Sequence, residues 1–295
     1  MNVMAILTGI NTRLRGSIGN YTFARVKGQT VARQKVDKKS VPVRTRSQML
    51  YRMQFANLIH LYQSFKGNLH PSFEGKAERV SDYNEFVRTN INANPVYLTK
   101  GQSSQGGCLV AAYQVTRGSM PGVAVEFGNN DIPESGIALG TLTLGNSTTL
   151  KAFSDAIVQN NTGWLSGDQL TVFVARQLMD AATGVPRVEI DSVEVTLDVN
   201  ADTTMLNDVV DASFFSVADG CLALSGSVNG GVAFVHSRKT HSGTKVSTQF
   251  FVVNNSYLAQ YQSGAAFAAA VKSYGGLTQD EFLTPNLDDV AAQNL

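Results

Sequence analysis

The chain has little of what most catalytic sites are built from. Among 295 residues there are two cysteines, four histidines and one tryptophan, and only 16% of the chain is charged. Cys108 and Cys221 are far apart and fit neither a metal-ligand spacing nor a disulfide framework, so they read as two buried free thiols. His60, His70, His236 and His241 form no HExxH-type array. There is no GxSxG elbow and no GxGxxG fingerprint; GSIGN at 16–20 lacks the spacing and precedes a strand instead of opening a helix. DVNAD at 198–202 is too poor in ligand positions for a calcium loop. No window reaches the roughly 18 apolar residues of a membrane span, and at the start the apolar run precedes the arginines, the reverse of a secretory signal. These absences leave no catalytic, cofactor or metal-ligating residue to nominate. The expectation is a non-enzymatic, cofactor-free protein made in the cytoplasm.

Charge is scarce but unevenly placed. The first 52 residues hold eleven Lys and Arg against one acid, Asp37. From 118 to 235 the sign reverses, with Lys151, Arg176 and Arg187 against fourteen acids, so that the net charge is only +1. Such a layout serves contact with a polyanion, or head-to-tail association of the basic end of one copy with the acidic part of the next. The residues nominated for either contact are Arg25, Lys27, Arg33, Lys35, Lys38, Lys39, Arg44, Arg46 and Arg52, with Tyr21 and Phe23 beside them as stacking or interface groups. No zinc finger, glycine-rich RNA-binding signature or helix-turn-helix pair accompanies them.

Periodicity divides the chain. Residues 20–36 alternate around Gly28 and predict a β-hairpin, with Gly16 and Gly19 permitting a bend before it. A polar, basic linker interrupted by Pro42 follows. Thr45 or Ser47 then caps a helix whose apolar stripe runs from Met49 to Phe65. A second helix is expected over 76–91, completing a helical hairpin with an aromatic core of Tyr62, Phe65, Phe73, Tyr83 and Phe86. Beyond a Ser/Gln/Gly turn at 102–107, short strands are expected at 108–116, 122–127 and 140–144, a helix at 148–159, and a loop at 160–168 that holds Trp164. Strands at 169–177 and 186–200 follow, the second with a phase slip that predicts a bulge near Ser192. More strands are expected at 214–217, 221–224 and 231–235, then a second hairpin over 231–253 and a helix over 256–274. The expected fold is α+β. A mostly antiparallel domain at 95–276, sandwich or barrel-like, carries a hairpin arm at 1–46, a helical hairpin at 47–94 and an acidic tail at 277–295.

Within the strand-rich part, Glu189, Asp191, Glu194 and Asp198 alternate with apolar residues as on an ordinary solvent-facing strand, although paired carboxylates are also what glycosidases use. Trp164 either caps the core or, exposed in its loop, anchors a partner. His236, Arg238, Lys239 and His241 form the one dense basic cluster outside the amino half and read as a polar turn or interface contact. Trp164, Arg238 and Lys239 join Tyr21 and Phe23 as candidate interface residues.

GSIGNYTFARVKGQTVARQKV, followed by VRTRSQMLYRMQFANLIHLYQSF, resembles the amino-terminal signature of uncharacterised proteins from Bacteroides-group bacteria and their tailed phages. That signature has a glycine-bounded hairpin, a basic linker ending in a Pro/Arg-Thr element, and an Arg/Gln-rich helix opening. The usual Asn-Pro-Arg-Thr stands here as Val43, Arg44 and Thr45, with Pro42 one place early. FVHSRKTHSGTKVSTQ and AAVKSYG also look like elements of phage-associated members. Some members look like structural proteins of the virion. The resemblance implies a component of the tail or neck, a homo-oligomer that meets other virion structural proteins, located in the virion. The alternatives are a nucleic-acid-associated protein and a cytoplasmic location.

Overall fold

The computed structural model describes residues 4–7, 15–26, 29–35, 46–65, 72–77 and 80–275. The chain falls into two compact units, Met1–Arg44 and Thr45–Leu295. The expected acidic tail lies outside the described residues.

The first unit is a four-stranded antiparallel sheet. Strands β1 (Met4–Leu7), β2 (Gly16–Ile18), β3 (Tyr21–Val26) and β4 (Gln29–Gln34) lie in the order β1-β4-β3-β2. The expected hairpin is β3–β4, paired from Tyr21↔Gln34 to Val26↔Gln29. Gly19, at φ 53°, makes the reversal that adds β2, with Ile18 opposite Tyr21. Both outer strands are additions to what periodicity suggested.

In the second unit the chain forms α1 (Arg46–Phe65), α2 (Asp82–Asn90), α3 (Lys100–Ser104), β5 (Gln114–Thr116), β6 (Val125–Phe127), β7 (Pro133–Ala138) and α4 (Leu150–Asn160). It continues through β8 (Gln169–Met179), β9 (Pro186–Thr196), α5 (Leu206–Val209), β10 (Phe215–Ala218), β11 (Cys221–Leu224) and β12 (Gly230–Thr240). It ends in β13 (Gly243–Val246), β14 (Gln249–Phe250), β15 (Val252–Asn254), α6 (Leu258–Tyr261) and α7 (Gly264–Gly275). The central sheet has the order β13-β12-β8-β9, with β15 also pairing β12. A second sheet has the order β10-β11-β7-β6. The fold is mixed α+β with antiparallel, sandwich-like sheets.

Both faces of the central sheet are covered. Phe173, Ala175, Val188, Ala233 and Val235 belong to a core with Leu58, Leu61 and Phe65 of α1 and Phe86 of α2. The alternate residues Leu170, Val172, Val174, Val195, Val232 and Phe234 belong to a second core with Phe153 and Ile157 of α4, Ile137 of β7 and Leu222 of β11. This corrects the bulge expected at Ser192. Strands β8 and β9 pair without interruption from Gln169↔Thr196 to Met179↔Pro186, with Ser192 opposite Phe173. The phase slip records β9 changing the face it buries, from Val188 on one side to Val195 on the other.

The helical pair shares the first core and the second compact unit, so 47–94 is no separate domain. Its aromatic packing is as expected: Tyr62 meets Phe65 and Tyr83 with ring centroids at 5.2 and 5.1 Å, and Phe65 meets Phe86 at 5.3 Å. Helix α2 is shorter than the span 76–91, because the Ser81 side chain accepts the Asn84 N–H and starts it there. Residues 140–144 form no strand. The second sheet takes β7 instead, whose buried positions alternate.

Residues 108–113 form no strand either, although Cys108, Leu109, Val110, Ala111 and Tyr113 are all 2% exposed or less. Carboxamide side chains replace the missing ladder. Asn57 of α1 accepts the Leu109 N–H at 2.7 Å and donates to the Leu109 carbonyl at 3.1 Å and the Tyr113 hydroxyl at 3.0 Å. Gln177 of β8 accepts the Val110 N–H at 3.0 Å and donates to the Cys108 carbonyl at 3.2 Å. Asn255 donates to the Val110 carbonyl at 3.0 Å, and Asn94 to that of Ala112 at 2.8 Å. Asn90 of α2 accepts the Gln114 N–H at 2.8 Å and donates to its carbonyl at 2.9 Å. Gly231 leaves the room, since a Cβ there would stand 2.5 Å from Val110 Cγ1.

Asn57→Ala strands the buried N–H and carbonyl of Leu109, while the Tyr113 hydroxyl keeps its bond to the Asn94 carbonyl at 2.9 Å. The expected cost is roughly 3 kcal/mol, read as a lower urea midpoint at unchanged slope.

Candidate functional site

Among the described nominated residues of the amino-terminal sheet, Arg25 and Arg33 lie on opposite faces. Arg25, Arg33, Lys35 and Arg52 are exposed. Strand register puts Arg25 on the face of Tyr21 and Phe23, and Arg33 on the opposite face with Thr22. Lys27, Lys38, Lys39 and Arg44 lie outside the described residues, as does the side chain of Arg46. On the first face Ile18 and Tyr21 stand opposite each other, 65% and 55% exposed. Arg52 is flanked on α1 by the exposed rings of Tyr51 and Phe55. Lys239 and His241 are exposed, near the tip of the β12–β13 hairpin.

Trp164, His236 and Arg238 do come together, inside the protein. Trp164 is 7% exposed and belongs to the second core, so it caps that core and presents no anchor at the surface. Its indole lies flat on the His236 ring, with centroids at 3.7 Å and planes at 10°. His236 and Arg238, two apart on β12, share one face and reach Asp168, which ends the 160–168 loop just before β8. His236 Nε2 lies 2.7 Å from Asp168 Oδ2. Arg238 donates to the same carboxylate from Nε at 2.5 Å and Nη2 at 2.7 Å, a two-pronged contact. The Leu165 N–H adds a bond at 2.8 Å, and Arg238 Nη2 also donates to the Gly163 carbonyl at 2.6 Å.

Burial by itself raises the Asp168 pKa, but the bonds from Arg238, His236 and Leu165 outweigh it and hold the carboxyl below its usual range. Burial is the largest influence on His236 and pushes it down, with Arg238 acting the same way and Asp168 opposing. Asp168 lifts Arg238. The resting state is therefore carboxylate, guanidinium and neutral imidazole, with His236 donating its Nε2–H. The buried imidazole is stacked under Trp164, and no nucleophile is hydrogen-bonded to it. This geometry ties the 160–168 loop to the sheet. The expected polar turn is corrected for His236 and Arg238, which lie within β12. Sequence reasoning did not find Asp168. The available signal was the two-residue spacing of His236 and Arg238, which puts both on one strand face, facing an acid at the mouth of the neighbouring strand.

The acids of β9 make no buried pair. Glu189, Asp191 and Glu194 are exposed, Asp191 bonds Arg176 at 2.6 Å, and Glu194 accepts from Gln169 at 2.8 Å. A cavity of about 280 Å³ is lined by Glu126, Glu134, Ser135, Asp219 and Cys221, among others. Among the described residues no cluster of His, Cys, Asp and Glu is placed to hold a metal ion, and no helix is long and apolar enough to cross a membrane.

Both shifts make the protein acid-labile. A depressed His236 lets the unfolded chain take up protons first, so stability falls as pH drops below about 6.5. A depressed Asp168 adds a further loss starting near pH 3.9. Melting temperature against pH, followed by Trp164 fluorescence, is expected to decline over the first window in the parent and to flatten there in His236→Gln. Asp168→Asn is expected to cost roughly 3 kcal/mol at neutral pH, the low end for a broken buried pair, because half-buried Arg238 regains some water. Comparison of the chain with protein-family models, curated proteins and solved structures found no match.

Proposed function

We propose that this protein is a non-enzymatic structural subunit of a multi-subunit assembly, a tailed-phage virion component of the tail or neck. Copies join through the amino-terminal arm and complementary charge. The observation that carries the reading is the make-up of Met1–Arg44. It is a compact unit of its own, yet of its described side chains only Thr30 and Ala32 are buried, while Ile18 and Tyr21 lie open side by side. Small antiparallel sheets are marginal unless one face is covered. An arm that gains its cover from a neighbouring copy resolves that deficit. The resemblance of residues 16–65 to phage-associated proteins supports the virion setting, as does the opposition of a basic amino end to an acidic middle. Other virion structural proteins are further partners.

The second reading is binding of a nucleic-acid phosphate backbone by the same arm. Exposed Arg25 near the rings of Tyr21 and Phe23 favours it. The placement of Arg33 on the opposite face weakens it, since one duplex would not meet both.

The test is mass determination with negative-stain imaging of the full chain beside a version lacking residues 1–46. Discrete oligomers, rings or tubes that vanish on truncation are the expected result. Monomers in both samples, together with DNA or RNA affinity that falls steeply with salt, would transfer the arm to the second reading.

A further inference from the structure

Strand β9 closes one side of the central sheet, and among the described residues no strand pairs a defined stretch of its outer edge. The Gln177 N–H bonds the Asn229 carbonyl, so odd residues of β8 point toward β12 and even residues toward β9. On β9 the odd residues then face β8, and the even ones face outward. The Cys108 N–H, bonding the Pro186 carbonyl at 2.9 Å, occupies that outer side at the start of the strand. Beyond the other end, the Asp198 N–H is taken by Ser154 Oγ at 2.9 Å. Between them the backbone groups of Ile190, Ser192, Glu194 and Thr196 pair with no strand among the described residues.

Open edges of this length are normally blunted by a proline, a lysine or a bulge. From 187 to 196 there is no proline and no lysine, and the register is unbroken. What guards the edge is charge: Glu189, Asp191 and Glu194 are all exposed, against one base at the start of the strand, Arg187, which lies 3.6 Å from Asp180. Two β9 edges brought together would oppose acid to acid, which disfavours pairing of like with like. A basic strand meets no such penalty.

The chain supplies one. In the amino-terminal sheet the Lys35 N–H bonds the Asn20 carbonyl, so Gly16 and Ile18 turn their backbone toward β3, and Ser17 turns outward. That outer edge of β2 adjoins exposed Arg15, with Arg25 on the next strand. The opposite edge, β1, contains no ionisable residue. Resting on the assembly reading above, we infer that the open edge of β9 receives the β2 edge of a second copy's amino-terminal unit, joined by strand addition and selected by charge. The contact is heterologous. Each copy offers a donor edge and an acceptor edge, so it propagates into a ring or an open filament.

Charge reversal in the full-length chain tests the pairing. The chains are Glu189→Lys with Glu194→Lys, Arg15→Glu with Arg25→Glu, and one carrying all four changes, each followed by sedimentation velocity across concentration at low salt. Asp191 is left intact because it pairs with Arg176. Each double reversal is expected to weaken self-association at least ~10-fold, and the fourfold chain, or a mixture of the two doubles, to regain it. Regained association also shows that the altered chains fold. Undiminished association of Glu189→Lys with Glu194→Lys overturns β9 as the acceptor and leaves the arm-based assembly standing. Weakening by both reversals with no recovery in combination also overturns the contact. A parent chain that is monomeric at every concentration overturns the inference and the assembly reading together.

Discussion

The backbone of residues 108–113 runs through the first core without forming a strand, and the second unit is organised around the demand that its polar groups still be hydrogen-bonded. A buried peptide group without a partner costs about 1–3 kcal/mol, and this stretch carries a run of them through the first core. Asn57 is on α1, Asn90 on α2, Gln177 on β8, and Asn255 follows β15. The four elements are thereby fixed to one another through the segment they share. Asn57 is 0% exposed and Asn90 1%, so neither amide has water as an alternative partner. The helical pair cannot separate from the sheet without exposing the same backbone groups, which is why it does not form a domain of its own.

The central sheet faces a related constraint from both sides. With a core on each face, β8 and β12 carry almost continuous apolar residues, and polar groups on them have nowhere to go unless they meet each other. Gln177 solves this toward the first core and the Asp168, His236 and Arg238 cluster toward the second. Charge pairs of this kind stabilise little compared with apolar packing, but removing one member is costly because the rest stay buried. Here the cluster also settles where the 160–168 loop lies, through the Arg238 bond to the Gly163 carbonyl and the stacking of Trp164 on His236. An aspartate, a histidine and an arginine in contact would draw attention as a site. Their place beneath the only tryptophan makes them part of what holds the loop on the sheet.

How much of this was legible in the sequence depends on how local the cause was. The β3–β4 hairpin, α1, α4 with its Thr149 cap, β8 and the β12–β13 turn follow from periodicity and capping within a few residues. The failures share a non-local cause. The apolar run 108–113 reads as a strand because β-type residues fill it, and only the distant Asn57 and Gln177 reveal a different solution. The slip at Ser192 reads as a bulge because local pattern alone does not tell a shifted register from a strand that changes the face it buries. The Asp168–His236 contact joins residues 68 apart. The charge asymmetry was visible at once, but not that register would divide Arg25 from Arg33, since one residue of offset decides the face.

That division bears on what the arm is for. A surface meant for phosphates gains by gathering its cations on one side, where their fields add. The amino-terminal sheet spreads them over both faces and its rim, and keeps its exposed apolar groups, Ile18 and Tyr21, together on one face. In the proposed assembly such an element is steered by charge and held by apolar contact. The exposed rings of Tyr51 and Phe55 on α1 follow the same pattern, apolar groups left open beside a single cation, Arg52. On the other side of the balance, the acids of β9 are exposed and arranged along an edge that still has backbone groups to offer. Steering by charge and closure by backbone pairing are separable steps. In the proposed contact, an edge that repels its own kind and admits a basic strand would obtain polarity of assembly from the first step and strength from the second.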